Sequence, residues 1–367
     1  MKASSNAGSG GSNSGLPRMD LRPMTAKTLR TVTPLRVAGV LLDLFSRVGQ
    51  RSPPNQSKTE HIRFISIAVS NYNEKVRWGL DLLENHPKSP VYYTEDMHPP
   101  AFAAFHSVPA SKDQSSQAPM VVLPLPKERA VWGSDTILRE ICSDPETVNL
   151  YPAAIKAKVQ ALEDELGTRL GATARCWGYS ILFDKSKKHY ATASKFLTLQ
   201  CPRIEQLVFD RMMDRGLAKG MVRAMKVTEF ADASEHEIRK VFDEMSQALE
   251  AAGGDYLMGS EYGFTAADLT LGALSYFIIR PPEMTPFLLP ESETPPVMLR
   301  LGEELRETLA GKYVLKMYQQ NRPIDSQTGV IDLKKVDQNR VPWKEAVGAV
   351  TILGSIVYGI ILSATKA

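Results

Sequence analysis

The apolar positions change their period several times between residues 58 and 320, and each change marks an element. Residues 64–69 (FISIAV) form a short apolar run of the length and composition of a buried strand. It stops at Ser70-Asn71-Tyr72-Asn73. Val76, Leu80 and Leu83 then recur on one helical face, with Lys75, Asp81 and Glu84 off it. Val91-Tyr92-Tyr93-Thr94 reads as a second strand from its β-branched and aromatic content, and residues 119–123 (PMVVL) as a third. A hairpin through Pro126-Lys127-Glu128-Arg129 leads to Val131-Trp132. From Ala153 onward the pattern is helical without strands. Ser234-Glu235-His236-Glu237 has the form of a capping box opening an amphipathic helix through Ile238, Val241, Phe242, Met245 and Leu249, stopped by Gly253-Gly254. Thr265 with Asp268 three residues later is a second such start. The residues after it, 269–279, are apolar nearly all round and predict a buried central helix. The pattern predicts an α/β domain over 58–145 and an all-α domain over 153–322.

The flanks read differently. Residues 1–57 form an extension that is Ser/Gly/Asn-rich at first, the composition of a disordered or targeting segment. Within it, residues 36–48 place Val37, Val40, Leu41, Leu44, Phe45 and Val48 at helical spacing. This dozen residues is too short to span a bilayer. It fits a helix lying on a membrane surface, the end of a transit peptide, or a helix packed on the domain. Residues 323–344 read as a polar linker to a single transmembrane helix over 345–364. Its stretch 346–364 (AVGAVTILGSIVYGIILSA) carries no charge, and at about 1.5 Å per residue it is long enough to cross the hydrocarbon core. Lys334, Lys335, Arg340 and Lys344 precede it, which orients the preceding domains to the cytosol. The arrangement is that of a tail-anchored membrane protein, on the mitochondrial outer membrane or endoplasmic reticulum rather than imported into an organelle. Thr351, Ser355, Gly359 and Ser363 make a small-residue stripe consistent with a homodimer.

Composition excludes little. A net charge of +3 concentrates in residues 1–60, with nine Lys/Arg against three Asp/Glu, so the remainder is slightly acidic and no nucleic-acid partner is indicated. Cys142, Cys176 and Cys201 lack paired spacing and read as buried thiols. His98 and His106 have no partner at metal-ligand spacing, so surface or supporting roles fit them and no metal is expected.

The chemistry concentrates at Ser70. A strand feeding directly into a helix puts this hydroxyl at the strand's carboxyl end beside free helix N–H groups, where an anion or thiolate is favoured. Ser-Asn-Tyr-Asn-Glu-Lys-Val-Arg-Trp-Gly-Leu resembles the first β-α turn of cytosolic glutathione transferases, the bacterial and omega-like members in particular. Residues 170–179, reading Leu-Gly-x-x-x-Arg-x-Trp-x-Tyr, and Phe264-Thr265-Ala266-Ala267-Asp268-Leu269 resemble later motifs of that family.

The resemblance covers about residues 60–320. It implies a thioredoxin-like domain followed by an all-helical glutathione-transferase domain, with glutathione as co-substrate and no cofactor or metal. It makes Ser70 the catalytic partner of the glutathione sulfur. Ala118, before a cis Pro119, would bind the cysteinyl backbone. Ser134 would hold the γ-glutamyl carboxylate, and Arg175 and Tyr179 would line the second-substrate pocket. Gly133 stands where the family carries Glu or Asp, and the adjacent Asp135 is the candidate replacement. With serine at the sulfur position, glutaredoxin-type exchange is disfavoured. Two functions fit: conjugation of glutathione to lipophilic electrophiles, or a non-catalytic membrane-organising scaffold of the metaxin or ganglioside-induced differentiation-associated type.

Overall fold

A computed structural model of the chain describes residues 52–336 apart from 112–114, 125–127, 185–188 and 225–226. Four strands form one sheet in the order β2-β1-β3-β4. Strand β1 (Glu60–Ile67) runs parallel to β2 (Val91–His98), with helix α1 (Asn71–Asn85) crossing over between them. Helix α2 (Ala103–Ala110) leads to β3 (Met120–Leu123), antiparallel to β1 with Phe64 opposite Val121. Strand β4 (Arg129–Trp132) pairs antiparallel with β3, and α3 (Ser134–Ile141) follows it. This β-α-β-α-β-β-α order with a parallel and an antiparallel half is the expected thioredoxin-like arrangement.

Strand β2 runs four residues past the Val91–Thr94 stretch read from composition, through the acidic pair Glu95 and Asp96, both fully buried. Each acid has a cation facing it. Arg77 of α1 donates to both Glu95 oxygens at 2.8 and 2.6 Å, and Arg63 of β1 reaches Asp96 at 2.5 Å. Charges that would break an isolated strand are here part of the layer between sheet and helix.

The second domain is all-helical: α4 (Lys156–Leu166), α5 (Ala172–Leu182), α6 (Tyr190–Leu197), α7 (Arg203–Met212), α8 (Ala218–Ala224), α9 (Val227–Ala251), α10 (Ala266–Ile279), α11 (Pro296–Glu307) and α12 (Leu309–Asn321). As its pattern predicts, α10 is the central helix, buried along its length except at Phe277. It packs on α1 closely enough that a Cβ at Gly272 would lie 2.9 Å from the Trp78 ring. Its start is held by Asp268, which accepts from the Thr265 N–H and hydroxyl (both 2.7 Å), the Leu257 N–H (2.9 Å) and the Tyr313 hydroxyl (2.5 Å). The other expected start is not one. Helix α9 begins at Val227 and runs straight through Ser234, whose hydroxyl donates to the Phe230 carbonyl one turn back at 2.6 Å. A serine that bonds backwards in this way sits inside a helix rather than capping it.

The stretch beyond α12, expected as a linker, is packed down to Val336. Arg322 is buried and donates to Glu74 (2.9 Å) and Asp81 (2.6 Å) of α1, while Lys334 meets Glu84 at 2.9 Å. Glu95 of β2 donates its N–H to the Lys334 carbonyl at 2.5 Å and accepts from the Val336 N–H at 3.3 Å, so the segment pairs along the outer edge of the sheet. The expected span at 345–364 and the helix at 36–48 lie outside the described residues. Among the described residues no helix is long and apolar enough to cross a membrane.

Breaking a buried ion pair on one side leaves an uncompensated charge and costs about 3–5 kcal/mol. Arg322→Met, which keeps most of the side chain's length, is expected to lower unfolding stability by that order and to make residues 323–336 sensitive to limited proteolysis. An unchanged denaturation midpoint and cleavage pattern would show that Arg322 does not hold the segment.

Candidate active site

The turn after β1 is tied down from both domains. The Val69 carbonyl accepts from the Tyr276 hydroxyl of α10 at 2.8 Å. Asn71, buried, donates its amide to the Gly171 and Leu274 carbonyls at 3.3 and 3.2 Å. The Tyr72 hydroxyl donates to the Gly167 carbonyl at 2.8 Å, and Gly171 has no Cβ because one would lie 2.6 Å from that hydroxyl. Asn73 accepts from the Ile67 N–H at 3.2 Å. In the middle stands Ser70, the N-cap of α1, in extended conformation and half-buried, with no side-chain cap hydrogen bond. Its neighbours are spent on holding the turn, and its hydroxyl is left to face something else. Asn71, Tyr72 and Asn73 are the residues the sequence reading passed over. The partners of Asn71 and Tyr72 lie some hundred and two hundred positions away, where no local signal marks them, while Asn73 reaches back six residues.

Strand register brings the other candidates to the same end of the sheet. Ile65 lies opposite Met120, and Met120 opposite Trp132, so the residues just before β3 and just after β4 flank the exit of β1. The Ala118–Pro119 peptide is cis. Ala118 is half-exposed, and the Pro119 carbonyl accepts from the Gly133 N–H at 3.2 Å. Ser134, buried, opens α3 directly after Gly133. Asp135 is engaged. The fully buried Lys75 of α1 pairs with it and with Glu163 of α4, the latter at 2.8 Å. Asp135 therefore links α1 to α3, and its remaining exposure of 35% is all that can face a ligand.

Helix α5 closes the other side. The Arg175 guanidinium sits 5.6 Å from the Tyr72 ring centroid, and its Nη2 is buried without a hydrogen-bond partner. Tyr179, one turn on, packs against Phe183 with ring centroids 5.2 Å apart. Burial pushes the Tyr72 and Tyr179 phenols up, against the opposing pull of Arg175 on both. Both tyrosines stay neutral. Trp177 points into the core, and the three cysteines are free and buried. His98 and His106 are not on the surface: both are buried, against Glu205 of α7.

No protein-family model and no curated protein matches the sequence. Solved structures overlay on it at low identity. A maleylacetoacetate isomerase from Anaeromyxobacter dehalogenans, with bound dicarboxyethyl glutathione and citrate, is 17% identical, covering 74% of this chain and 97% of its own at a TM-score of 0.32. A glutathione transferase from Populus trichocarpa is 15% identical, covering 70% and 98% at a TM-score of 0.39. Glutathione transferase Omega 3C from Trametes versicolor is 10% identical, covering 75% and 89% at a TM-score of 0.33. Overlays this loose assign nothing to the site, which rests on its own residues.

Gly133 has φ of 86° and ψ of 125°, a conformation that residues with a Cβ rarely adopt, although a Cβ there would meet only the Thr136 hydroxyl, at an ordinary contact of 3.7 Å. Installing an acid there strains the backbone. Gly133→Glu is expected to destabilise the protein by about 1–3 kcal/mol, with Gly133→Ala costing the same. A glutamate variant as stable as the native chain, measured by denaturant unfolding, would show that the turn yields freely.

Proposed function

We propose that this chain binds glutathione along Ser70, Ala118-Pro119 and Ser134 and transfers its thiolate to an electrophile in the cleft between the sheet domain and α5. The observation that carries this reading is the unspent Ser70 hydroxyl at the N-terminus of α1, within a turn where Asn71, Tyr72 and Asn73 each hold a backbone group. The Ser70 hydroxyl donates to the sulfur, and the helix terminus adds positive potential. Lowering a thiol pKa from about 8.5 toward 7 stabilises the thiolate by about 2 kcal/mol. The thiolate lone pair forms a C–S bond to the electrophilic carbon as the leaving group departs or a conjugated double bond shifts its electrons. The Tyr179–Phe183 ring pair offers a wall to a lipophilic acceptor, and Arg175 adds positive charge near the developing anion.

Two observations favour a second reading, a scaffold without turnover. Gly133 supplies no carboxylate, and Asp135 is already paired with Lys75. Calorimetry separates the two. Glutathione is expected to bind the native chain. Ser134→Ala is expected to weaken it by about 1–3 kcal/mol, while Ser70→Ala leaves affinity nearly unchanged and lowers turnover with a generic electrophile. Absence of measurable glutathione binding, or equal turnover in Ser70→Ala, would leave the scaffold reading.

The same reading holds the protein to a membrane by residues 345–364, supported by the uncharged run from 346 to 364. After alkaline carbonate extraction the full chain is expected in the membrane pellet and a chain ending at residue 344 in the supernatant. Extraction of both alike would remove the anchor.

A further inference from the structure

Three side chains from distant parts of the sequence meet outside the Ser70 site: His98 at the end of β2, His106 on α2 and Glu205 on α7. They are 0%, 2% and 5% exposed. His98 Nδ1 lies 3.1 and 3.0 Å from the two Glu205 oxygens, and His106 Nε2 lies 3.5 Å from Glu205 Oε1. The imidazoles are stacked, with centroids 3.6 Å apart and planes 11° from parallel.

A buried imidazole–carboxylate pair would account for His98 and Glu205 alone. It leaves His106 poorly met: Nδ1 is buried without a hydrogen bond, and Nε2 faces Glu205 only at 3.5 Å, outside hydrogen-bond geometry. Leaving such a group unmet costs about 1–3 kcal/mol, and a bound cation would take the lone pair that the protein leaves over. We propose that His98, His106 and Glu205 form a transition-metal site for which zinc is the fitting ion. Two imidazoles and one carboxylate are a zinc donor set, with the fourth position left to water. Each residue offers a ligand atom, and these atoms lie within 4.8 Å of one another. Zinc bonds of 2.0–2.1 Å place tetrahedral ligands about 3.3 Å apart, so the carboxylate already stands at coordinating separation from each ring. Parallel rings aim their lone pairs side by side. Binding therefore requires one imidazole to turn about its Cβ–Cγ bond, a broad and soft torsion. A metal here would fasten β2 and α2 of the sheet domain to α7 of the helical domain.

The test is a titration of the chelator-treated full chain with cobalt(II), followed by zinc. One equivalent of cobalt is expected to give the visible absorption of a four-coordinate nitrogen/oxygen site, which zinc then abolishes. Zinc is also expected to raise the melting temperature. Glu205→Gln and His106→Phe are each expected to weaken zinc at least about tenfold. His106→Phe keeps a stacked ring, so a native circular-dichroism spectrum with lost binding separates a missing ligand from a missing fold. A native chain that takes up no cobalt or zinc, variants that bind as the native chain does, or a thiolate-to-cobalt charge-transfer band would each overturn the assignment.

Discussion

Helix α1 carries Glu74, Arg77, Asp81 and Glu84 on the side it buries, and the rest of the molecule is arranged to make that tolerable. Arg77 is met by Glu74 and Glu95, and its guanidinium lies 4.1 Å above the Phe287 ring. Burial alone would pull its proton off more easily, but the two carboxylates outweigh this and hold it firmly charged. Glu74 and Asp81 are met in turn by Arg322, and the Tyr93 hydroxyl donates to Asp81 at 2.8 Å. A register that left one of these ions without its partner would strand a bare charge in low dielectric. The cations come from α1 itself and from the segment after α12, so the sheet domain closes its own core with residues from the far end of the chain.

That fixed helix gives the Ser70 turn its character. With α1 held along its length by ions, its first turn is held by Asn71, Tyr72 and Asn73 reaching to α10, to the α4–α5 junction and back to β1. Positive potential at a helix start stabilises a thiolate most when nothing has to reorganise to present it. The placement of Gly133 belongs to the same economy of backbone. The chain turns from β4 into α3 at a positive φ, which glycine adopts without strain.

How much of this could be read from the sequence depended on how far each partner lay. The strand–turn–helix around Ser70 and the Thr265/Asp268 start of α10 were legible because a few adjacent residues determine them. The apolar faces likewise gave two domains in the right order. Glu95 and Asp96 hid the second half of β2, since an acidic pair argues against a buried strand until Arg63 and Arg77 are seen across from it. Ser234 mimicked a helix start because its spacing to Glu237 is that of a cap, while the turn before it, with Val227 and Phe230, continues the helix. The polarity of residues 322–336 described a linker correctly in composition and wrongly in place. Arg322 and Lys334 are polar because they answer buried acids. His98 and His106 found their carboxylate 107 and 99 positions on, beyond any spacing rule.

The segment ending at Val336 has one more effect. It lies along β2, which is otherwise the open margin of the sheet, and takes up the hydrogen-bonding groups of Glu95. At that point on the margin, a strand from another chain meets groups that are already taken. The opposite margin, β4, is four residues long and begins at the exposed Arg129, paired with Glu140. Short and charged, it offers little for a stranger's backbone to join. Among the described residues, neither margin of the sheet presents a long row of free backbone groups for another strand to join.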